Sequence, residues 1–119
     1  MNNTTPDAQD IEKGKTIAIL SYITLIGWVI AYIMHTNTQT KFGAFHLRQA
    51  LGLMIITIAT YVISFGFIFI SYYLFAAFRL VNVGVFVLII MGIINAANGK
   101  MKAVPVLGDF FDKTFSGIN

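Results

Sequence analysis

The chain lacks acidic side chains over most of its length, since none occurs between Lys13 and Asp109. It also lacks cysteine, which excludes disulfide bonds, thiolate catalysis and thiolate metal ligands. Only 11% of its 119 residues are charged, against about 25% in ordinary soluble domains. A water-soluble domain of this size needs a charged outer surface, and this sequence has too few charges to build one. The composition therefore indicates that lipid surrounds much of the chain.

Long apolar stretches are what the sequence has in abundance. Hydrophobic residues make up 57% of the chain, and the mean hydropathy is +0.78. Three uncharged stretches, 16–34, 49–78 and 80–98, are long enough to cross a bilayer, because a helix of about 19 residues approaches the roughly 30 Å of a hydrocarbon core. We therefore predict an all-α, polytopic integral membrane protein with three transmembrane helices. The second is either one long tilted helix or contains a re-entrant piece near Gly66.

Polar segments flank this transmembrane domain, which we assign to residues 16–99. Residues 1–15 are predicted to form a polar, mobile N-terminal tail, and residues 100–119 a basic and aromatic C-terminal tail. The C-terminal tail has two helical faces. Phe110, Phe111, Thr114 and Phe115 share the apolar face, whereas Asp112, Lys113 and Ser116 share the polar one. This pattern predicts a short interfacial helix lying on the membrane.

The distribution of basic residues predicts an orientation. Three crossings would put the loop of residues 35–48 and the C-terminal tail on one side, with five basic residues there against three on the other. The positive-inside rule then predicts a bacterial inner (plasma) membrane protein with its loop and C-terminus in the cytoplasm and its N-terminus outside. The basic residues form no stripe or cluster, so nucleic acid is not indicated as a partner.

Polar and aromatic side chains concentrate in two short clusters. KFGAFHLRQ, residues 41–49, precedes the second span, and NAANGKMK, residues 95–102, ends the third. Both clusters share a side in the predicted topology, so they are candidate contacts for a partner protein or for anionic lipid headgroups. The candidate residues are Lys41, Phe45, His46, Arg48, Gln49, Asn95, Asn98, Lys100 and Lys102.

Arg48 stands at the start of a predicted helix, where the helix dipole disfavours a cation by roughly 0.3–1 kcal/mol. We therefore expect a counter-ion for it. Lipid phosphate and the tail carboxylates of Asp109 and Asp112 are the available groups, and a role as a plain topology anchor is the alternative.

The residue pattern does not indicate an enzyme. His35 and His46 are 11 residues apart with no carboxylate nearby, which disfavours a metal centre. Asp109 and Asp112 lie on a polar tail, where solvated carboxylates are the ordinary interpretation. A proton-coupled transporter would place acids or a charged pair inside the spans, and this chain places none there. We predict no cofactor, no metal and no enzymatic activity.

Three functions remain open. The leading hypothesis is a membrane subunit or scaffold that acts through helix packing and a cytoplasmic docking surface, with a membrane-protein partner or as a homo-oligomer. Thr57, Thr60, Tyr61 and Ser64 share one helical face, which would suit an oligomeric channel or small-solute permease, although such hydroxyls more often bond a neighbouring helix or their own backbone. A membrane organiser that binds anionic lipids is the third possibility.

Three motifs carry a resemblance to a known family. These are KTIAILSYITLIGW, FHLRQALGL and GIINAANGKMKAVPVLGDF, within residues 15–115. They resemble the bacterial relatives of the twenty-kilodalton inner-envelope component of the chloroplast protein-import machinery, the Tic-twenty-like family. The resemblance implies an all-helical inner-membrane protein and, for the plastid member, a role in an import translocon. The chain differs from that member by the lack of a transit peptide and by three predicted spans in place of four, and the family transfers no catalytic residues.

Overall fold

A computed structural model describes residues 7–119, and all structural statements below concern this part of the chain. It contains five helices: α1 (Ala8–Ser21), α2 (Leu25–Asn37), α3 (Lys41–Phe67), α4 (Tyr72–Ala97) and α5 (Gly108–Thr114). No strand occurs among the described residues, so the predicted all-α class is confirmed. The molecule is elongated, with extents of 54 × 25 × 23 Å.

The first predicted span is two helices and not one. The chain leaves α1 at Tyr22, and the side chain of Thr24 accepts a hydrogen bond from the backbone N–H of Gly27, which begins α2. A threonine N-cap satisfies one of the N–H groups that a helix start leaves without an intrahelical partner. A single helix over residues 16–34 was therefore a wrong prediction.

The second predicted span is also divided. α3 ends at Phe67, and Ser71 begins α4 by accepting a hydrogen bond from the N–H of Leu74. The boundary predicted at residues 78–80 falls inside α4, which runs through Arg79 without a break. The absence of charge across residues 49–78 concealed this turn, because the turn is itself apolar.

Two helices, α3 and α4, are long and apolar enough to cross a membrane. Only 22% of the most apolar part of α3 and 17% of that of α4 are buried, so neither is enclosed as a soluble core helix would be. The prediction of three transmembrane helices is thus corrected to two candidate spans.

α1 and α2 form an antiparallel pair along the first half of α3. At the base of this pair, Lys13 of α1 lies across a groove from Asn37 at the end of α2. At its tip, Ile23 shares a shallow groove with Met54 and Thr57 of α3. The pair thus begins and ends beside the start of α3, and it turns back a little beyond the middle of that helix.

The molecule has two regions. The hairpin is residues 54–84, the second half of α3 and the first half of α4 with the turn between them. The head is the remainder of residues 7–119. A core of apolar side chains from α1, α3, α4 and the C-terminal segment holds the head together. The buried core residues are Ala18, Tyr22, Phe42, Ala50, Leu53, Val85, Ala96, Val104 and Phe111.

The predicted tails join the head. Residues 8–15 belong to α1, whose start Asp7 caps through the N–H of Asp10, whereas residues 1–6 of the predicted mobile tail lie outside the described residues. A short C-terminal helix exists as predicted, at Gly108–Thr114. Its Phe111 is buried in the core while Phe110 is exposed, so α5 packs on α3 and does not lie on the surface with both rings outward.

The first described residues and the C-terminal segment meet at the same end of the molecule. The Asp10 carboxylate accepts hydrogen bonds from the start of α3, and the backbone of Ile118 accepts one from Arg48. An odd number of crossings would have separated these segments. The predicted orientation, with the N-terminus and the C-terminus on opposite sides, is therefore unsupported.

Candidate functional site

Charge is concentrated in the head. Every Asp, Glu, Lys and Arg of the sequence lies there except Arg79, which is in the hairpin. The chain folds this way because α1, the start of α3 and the segment after α4 all converge at one end. This end is the candidate site.

His46 joins three segments of the head through both of its ring nitrogens. Nε2 lies 2.8 Å from the carbonyl oxygen of Lys100, and Nδ1 lies 2.8 Å from the hydroxyl of Tyr22. A carbonyl can only accept, so Nε2 carries the hydrogen and Nδ1 accepts from the tyrosine. The ring is fully buried between Phe42 and Phe45. His46 is therefore a structural clamp and does not present a surface to a partner.

Gln49, one turn further along α3, binds the segment that follows α4. Its Nε2 donates to the carbonyl of Gly108 at 2.7 Å, and its Oε1 accepts from the N–H of Val104 at 3.1 Å. A single buried amide thus satisfies one donor and one acceptor of an otherwise irregular loop. Phe45, His46 and Gln49, which the sequence suggested as contacts for a partner or a headgroup, are instead buried in the head.

Asp10, which the sequence analysis did not select, caps the start of α3 from another helix. Its two carboxylate oxygens accept from the N–H groups of Lys41 and Phe42, each at 3.0 Å, while Thr40 caps Gly43. α3 has no acidic residue in its first turn, and the positive end of a long helix dipole favours a carboxylate. That deficit was the one signal in the sequence that pointed to an anion supplied from elsewhere.

Arg48 finds its counter-ion within the chain. Its Nε donates to Oδ1 of Asp112 at 2.7 Å, and a terminal nitrogen donates to the carbonyl of Ile118 at 2.6 Å. Among the alternatives that the sequence left open, the structure pairs Arg48 with the tail carboxylate of α5. This pair fastens α5 and the C-terminal segment to α3.

An open groove of about 640 Å³ lies beside this ion pair. Its walls combine both signs of charge with apolar side chains and include Asp10, Lys41, Phe45, Arg48, Met101 and Asp112. Among the described residues, no group of three or more His, Asp or Glu side chains is placed to hold a metal ion.

The remaining predicted site residues follow the end of α4. The N–H of Lys100 donates to the carbonyl of Asn95 at 2.8 Å, and Gly99 adopts a left-handed φ of 71° that ends the helix. The side chains of Asn98, Lys100 and Lys102 are exposed. The structure therefore divides the nine candidates into three groups. The buried ones are Phe45, His46 and Gln49, the partly buried ones are Arg48 and Asn95, and the exposed ones are Lys41, Asn98, Lys100 and Lys102.

His35, at the end of α2, is buried without a hydrogen-bond partner for either ring nitrogen. Burial lowers its pKa, and the positive charge of Arg48 acts in the same direction, whereas the nearby backbone of Asn119 and the Asp10 carboxylate oppose the shift. His35 is therefore neutral in the folded protein at neutral pH.

The hydroxyl face of the hairpin is used inside the chain. Thr57 and Ser64 each donate to a carbonyl four residues earlier, and the Thr60 hydroxyl lies 2.7 Å from Oδ1 of Asn82 on α4. These bonds turn the face toward its own backbone and toward the neighbouring helix. The polar lining that the channel hypothesis required is therefore engaged within a single chain.

A charged head joined to an exposed apolar hairpin defines a small, all-helical membrane protein. The sequence model of the MamF/MmsF family, described as the magnetosome magnetite crystal formation protein family, matches residues 13–111. The chain belongs to this family. No curated protein and no solved structure shows significant similarity to it.

Family membership corrects the resemblance to the Tic-twenty-like family, which was wrong, and the import-translocon role is withdrawn with it. The motifs that carried the resemblance are short. Their most specific residues, such as His46 and Gln49, hold the head together, and a packing requirement of this kind can recur in unrelated small helical proteins.

Proposed function

We propose that this chain is a non-enzymatic protein of the magnetosome membrane that supports magnetite crystal formation by holding a charged docking head on one membrane face. The observation that carries the proposal is the segregation of the chain into a charged head and an apolar hairpin. Family membership supports magnetite crystal formation as the process. The separation of head and hairpin supports membrane anchoring with a charged docking surface as the way in which the protein contributes.

The hairpin is the anchor in this proposal. The hairpin includes the second half of α3, a helix of 27 residues, which covers about 40 Å at 1.5 Å per residue and is long enough to cross the roughly 30 Å of a hydrocarbon core. The turn at its tip exposes apolar and aromatic side chains, with Phe69 85% and Tyr73 84% exposed. Aromatic rings favour the membrane interface, so a tip that reaches the opposite headgroup layer suits this composition.

Within the head, the pair formed by α1 and α2 is proposed to dip from the charged end into the adjacent leaflet and to return. α2 has 13 residues, about 20 Å of helix, which is too short to cross. Its outer face is apolar, and the side chains of Ile23, Ile26 and Ile33 are exposed. Lipid is the solvent that suits this face, because an apolar surface of this size is unfavourable in water.

The head offers a docking surface with a stated chemistry. Lys100 and Lys102 are exposed beside the groove, so an acidic segment of a membrane-protein partner would complement them. All five carboxylates of the chain also lie in the head. The action on crystal formation is therefore assigned to the head and not to the hairpin tip.

Cysteine accessibility tests the topology, because the chain has no cysteine of its own. Single-cysteine variants Thr38→Cys, Lys102→Cys and Phe69→Cys would be exposed to a membrane-impermeant maleimide in intact magnetosomes and after permeabilisation. We expect Thr38→Cys and Lys102→Cys to react from the same side, and Phe69→Cys not to react from that side. Reaction of the first two from opposite sides would split the head and reject the proposal.

Charge reversal tests the function. In magnetite-forming cells that carry the double variant Lys100→Glu and Lys102→Glu, we expect smaller crystals in electron micrographs at an unchanged level of protein in the membrane. The matched control is Lys100→Arg with Lys102→Arg, which keeps the charge and should leave crystal size unchanged. Normal crystals in the reversed variant would contradict a docking role for these lysines.

A further inference from the structure

Arg79 is the one charged residue of the hairpin. It lies on α4, eight residues after the N-cap Ser71, and its side chain is exposed on a surface that is otherwise apolar. Among residues 7–119, the ion pair that forms joins Arg48 to Asp112, and every carboxylate of the chain lies in the head. An arginine facing lipid is costly unless it meets an anion or reaches the interface.

The guanidinium of Arg79 is held at the helix surface by an aromatic ring. Its Cζ lies 5.4 Å from the ring centroid of Tyr61 on α3. A guanidinium over the face of a ring is attracted to the ring and keeps N–H groups available to an anion. The ring therefore holds in place a donor group that has no acceptor of opposite charge in the hairpin.

Hydrogen bonds fix the register of α3 and α4 close to Tyr61 and Arg79. The Thr60 hydroxyl lies 2.7 Å from Oδ1 of Asn82, and Nδ2 of Asn82 donates to the carbonyl of Phe78 at 3.1 Å. Thr60 precedes Tyr61, and Asn82 is less than one turn from Arg79. The register that brings the ring under the guanidinium is thus set by a partly buried hydrogen bond between α3 and α4.

A groove of about 210 Å³ begins at Arg79 and continues toward the head. It is lined by Tyr61, Arg79, Asn82, Val83 and Phe86. Since α4 runs from the hairpin tip to the head, Val83 and Phe86 lie progressively deeper than Arg79 in the proposed bilayer. The groove is cationic at Arg79 and apolar at Val83 and Phe86. This order matches a phospholipid, whose phosphate headgroup is followed by an acyl chain.

The depth of Arg79 agrees with this match. The 19 residues from Arg79 to Asn98 span about 28 Å of helix, so Arg79 and the charged end of the head are separated by about the thickness of a hydrocarbon core. Snorkelling carries the guanidinium further toward the tip. The exposed rings of Phe69, Tyr72 and Tyr73 then lie beyond it, in the headgroup layer.

We infer that Arg79, held over the ring of Tyr61, binds the phosphate of a phospholipid in the leaflet opposite the head, with one acyl chain of that lipid along Val83 and Phe86. The inference rests on the proposed membrane-spanning hairpin. It adds a lipid site on the face of the membrane away from the charged head, and it gives the hairpin a fixed depth.

Arginine-selective labelling tests the site directly, because the chain has two arginines, Arg48 and Arg79. The full chain would be reconstituted in phosphatidylglycerol bilayers with ¹³C at Cζ of arginine, and dephasing of each signal by lipid ³¹P would be measured by solid-state NMR. We expect strong dephasing of the Arg79 signal, its weakening in Tyr61→Leu and its disappearance in Arg79→Lys, which also assigns the signal. The Arg48 signal, whose side chain is paired with Asp112, is the internal reference.

Two results would overturn the inference. An Arg79 signal without phosphorus dephasing in the native chain excludes a bound phosphate, and dephasing that is unchanged in Tyr61→Leu removes the ring from the site. Failure of the proposed topology is distinguished by Phe69→Cys, which would then react with a maleimide added on the side of the head. If Phe69→Cys is protected and dephasing is absent, the hairpin crosses but the lipid site does not exist.

Discussion

The head and the hairpin are built from the same two apolar helices, yet their surfaces are used in opposite ways. In the head, Gly52 of α3 and Gly92 of α4 lie directly beneath aromatic rings, those of Phe111 and Tyr22. In the hairpin, a methyl group added at Gly66 or Gly84 would meet no atom within 4 Å. Glycine is therefore a packing device in the head, whereas in the hairpin it leaves a surface that lipid can fill.

Polar side chains differ between the two regions as well. In the head, Gln49 and His46 bond backbone groups 54 to 59 residues away in sequence. In the hairpin, Thr57 and Ser64 bond carbonyls four residues away in their own helix. The Thr60–Asn82 bond is the hairpin's contact between helices, whereas several long-range bonds give the head a tertiary structure of its own.

The largest expected effect is the loss of the Gln49 bridge. Gln49→Leu leaves the N–H of Val104 and the carbonyl of Gly108 buried without partners, and each such group costs about 1–3 kcal/mol. We expect a loss of about 2–5 kcal/mol in the free energy of unfolding, measured by circular dichroism during thermal denaturation in a mild detergent. Thr57→Val, which removes a local hairpin bond, is the control. Equal losses in the two variants would erase the distinction between the regions.

Glycine substitutions on α4 compare the regions within one helix. Gly92→Ala places a methyl group into the ring of Tyr22, and overpacking of this kind costs about 1–3 kcal/mol. Gly84→Ala meets open space and favours the helix by up to about 1 kcal/mol. We therefore expect a lower melting temperature for Gly92→Ala and an equal or higher one for Gly84→Ala. The opposite order would show that Tyr22 does not pack on α4.

Acidification should weaken the head through His35. Its pKa is lowered by burial, so below about pH 6.5, where the unfolded chain takes up a proton, the folded state binds fewer protons and stability falls as the pH is reduced. Above that pH the contribution is constant. Melting temperatures of the native chain and of His35→Leu, measured from pH 7.5 to pH 4.5, should diverge in their slopes, with the shallower slope in the variant. Parallel slopes would mean that His35 does not titrate on unfolding.

The smallest expected effect is at the edge of the head. Asp112→Asn breaks the ion pair with Arg48, but the Asp112 side chain is 42% exposed, and partly exposed pairs contribute about 0.2–1 kcal/mol. We expect a small destabilisation that decreases with added salt, with exposed Asp109→Asn as the neutral control. A loss of unfolding free energy as large as that of Gln49→Leu would mean that the Arg48–Asp112 pair stabilises the head as strongly as the Gln49 bridge does.

Much of the architecture could be predicted from residue type. Only Lys41, Arg48 and Arg79 are charged between Lys15 and the end of α4, and this scarcity predicted lipid-exposed helices. The observed helix starts also follow ordinary N-cap residues, namely Thr24, Thr40 and Ser71. The number of helices was mispredicted because spans were identified as long stretches without charged residues. An apolar turn such as residues 68–71 does not interrupt such a stretch. The same limit joined α1 and α2 into one span.

The candidate site was predicted less well than the fold. The residues near His46 and Lys100 were selected because they were polar, and the structure separates them into buried clamps and exposed charges. Asp10 was missed because its role depends on α1 lying across the start of α3. The acid-free first turn of α3 indicated that an anion was needed there, but no local pattern identifies a partner more than thirty positions away in sequence.

The sequence by itself determined the solvent of this protein, because thirteen charges in 119 residues, twelve of them outside residues 49–99, cannot cover the surface of a water-soluble domain. Only the tertiary structure decided which apolar helices remain open to lipid and which polar groups join distant segments. The free energy of transfer from water to lipid is a sum over residue types, so composition is enough to predict it. Helix pairing depends instead on specific contacts, such as the ring of Tyr22 packed against Gly92.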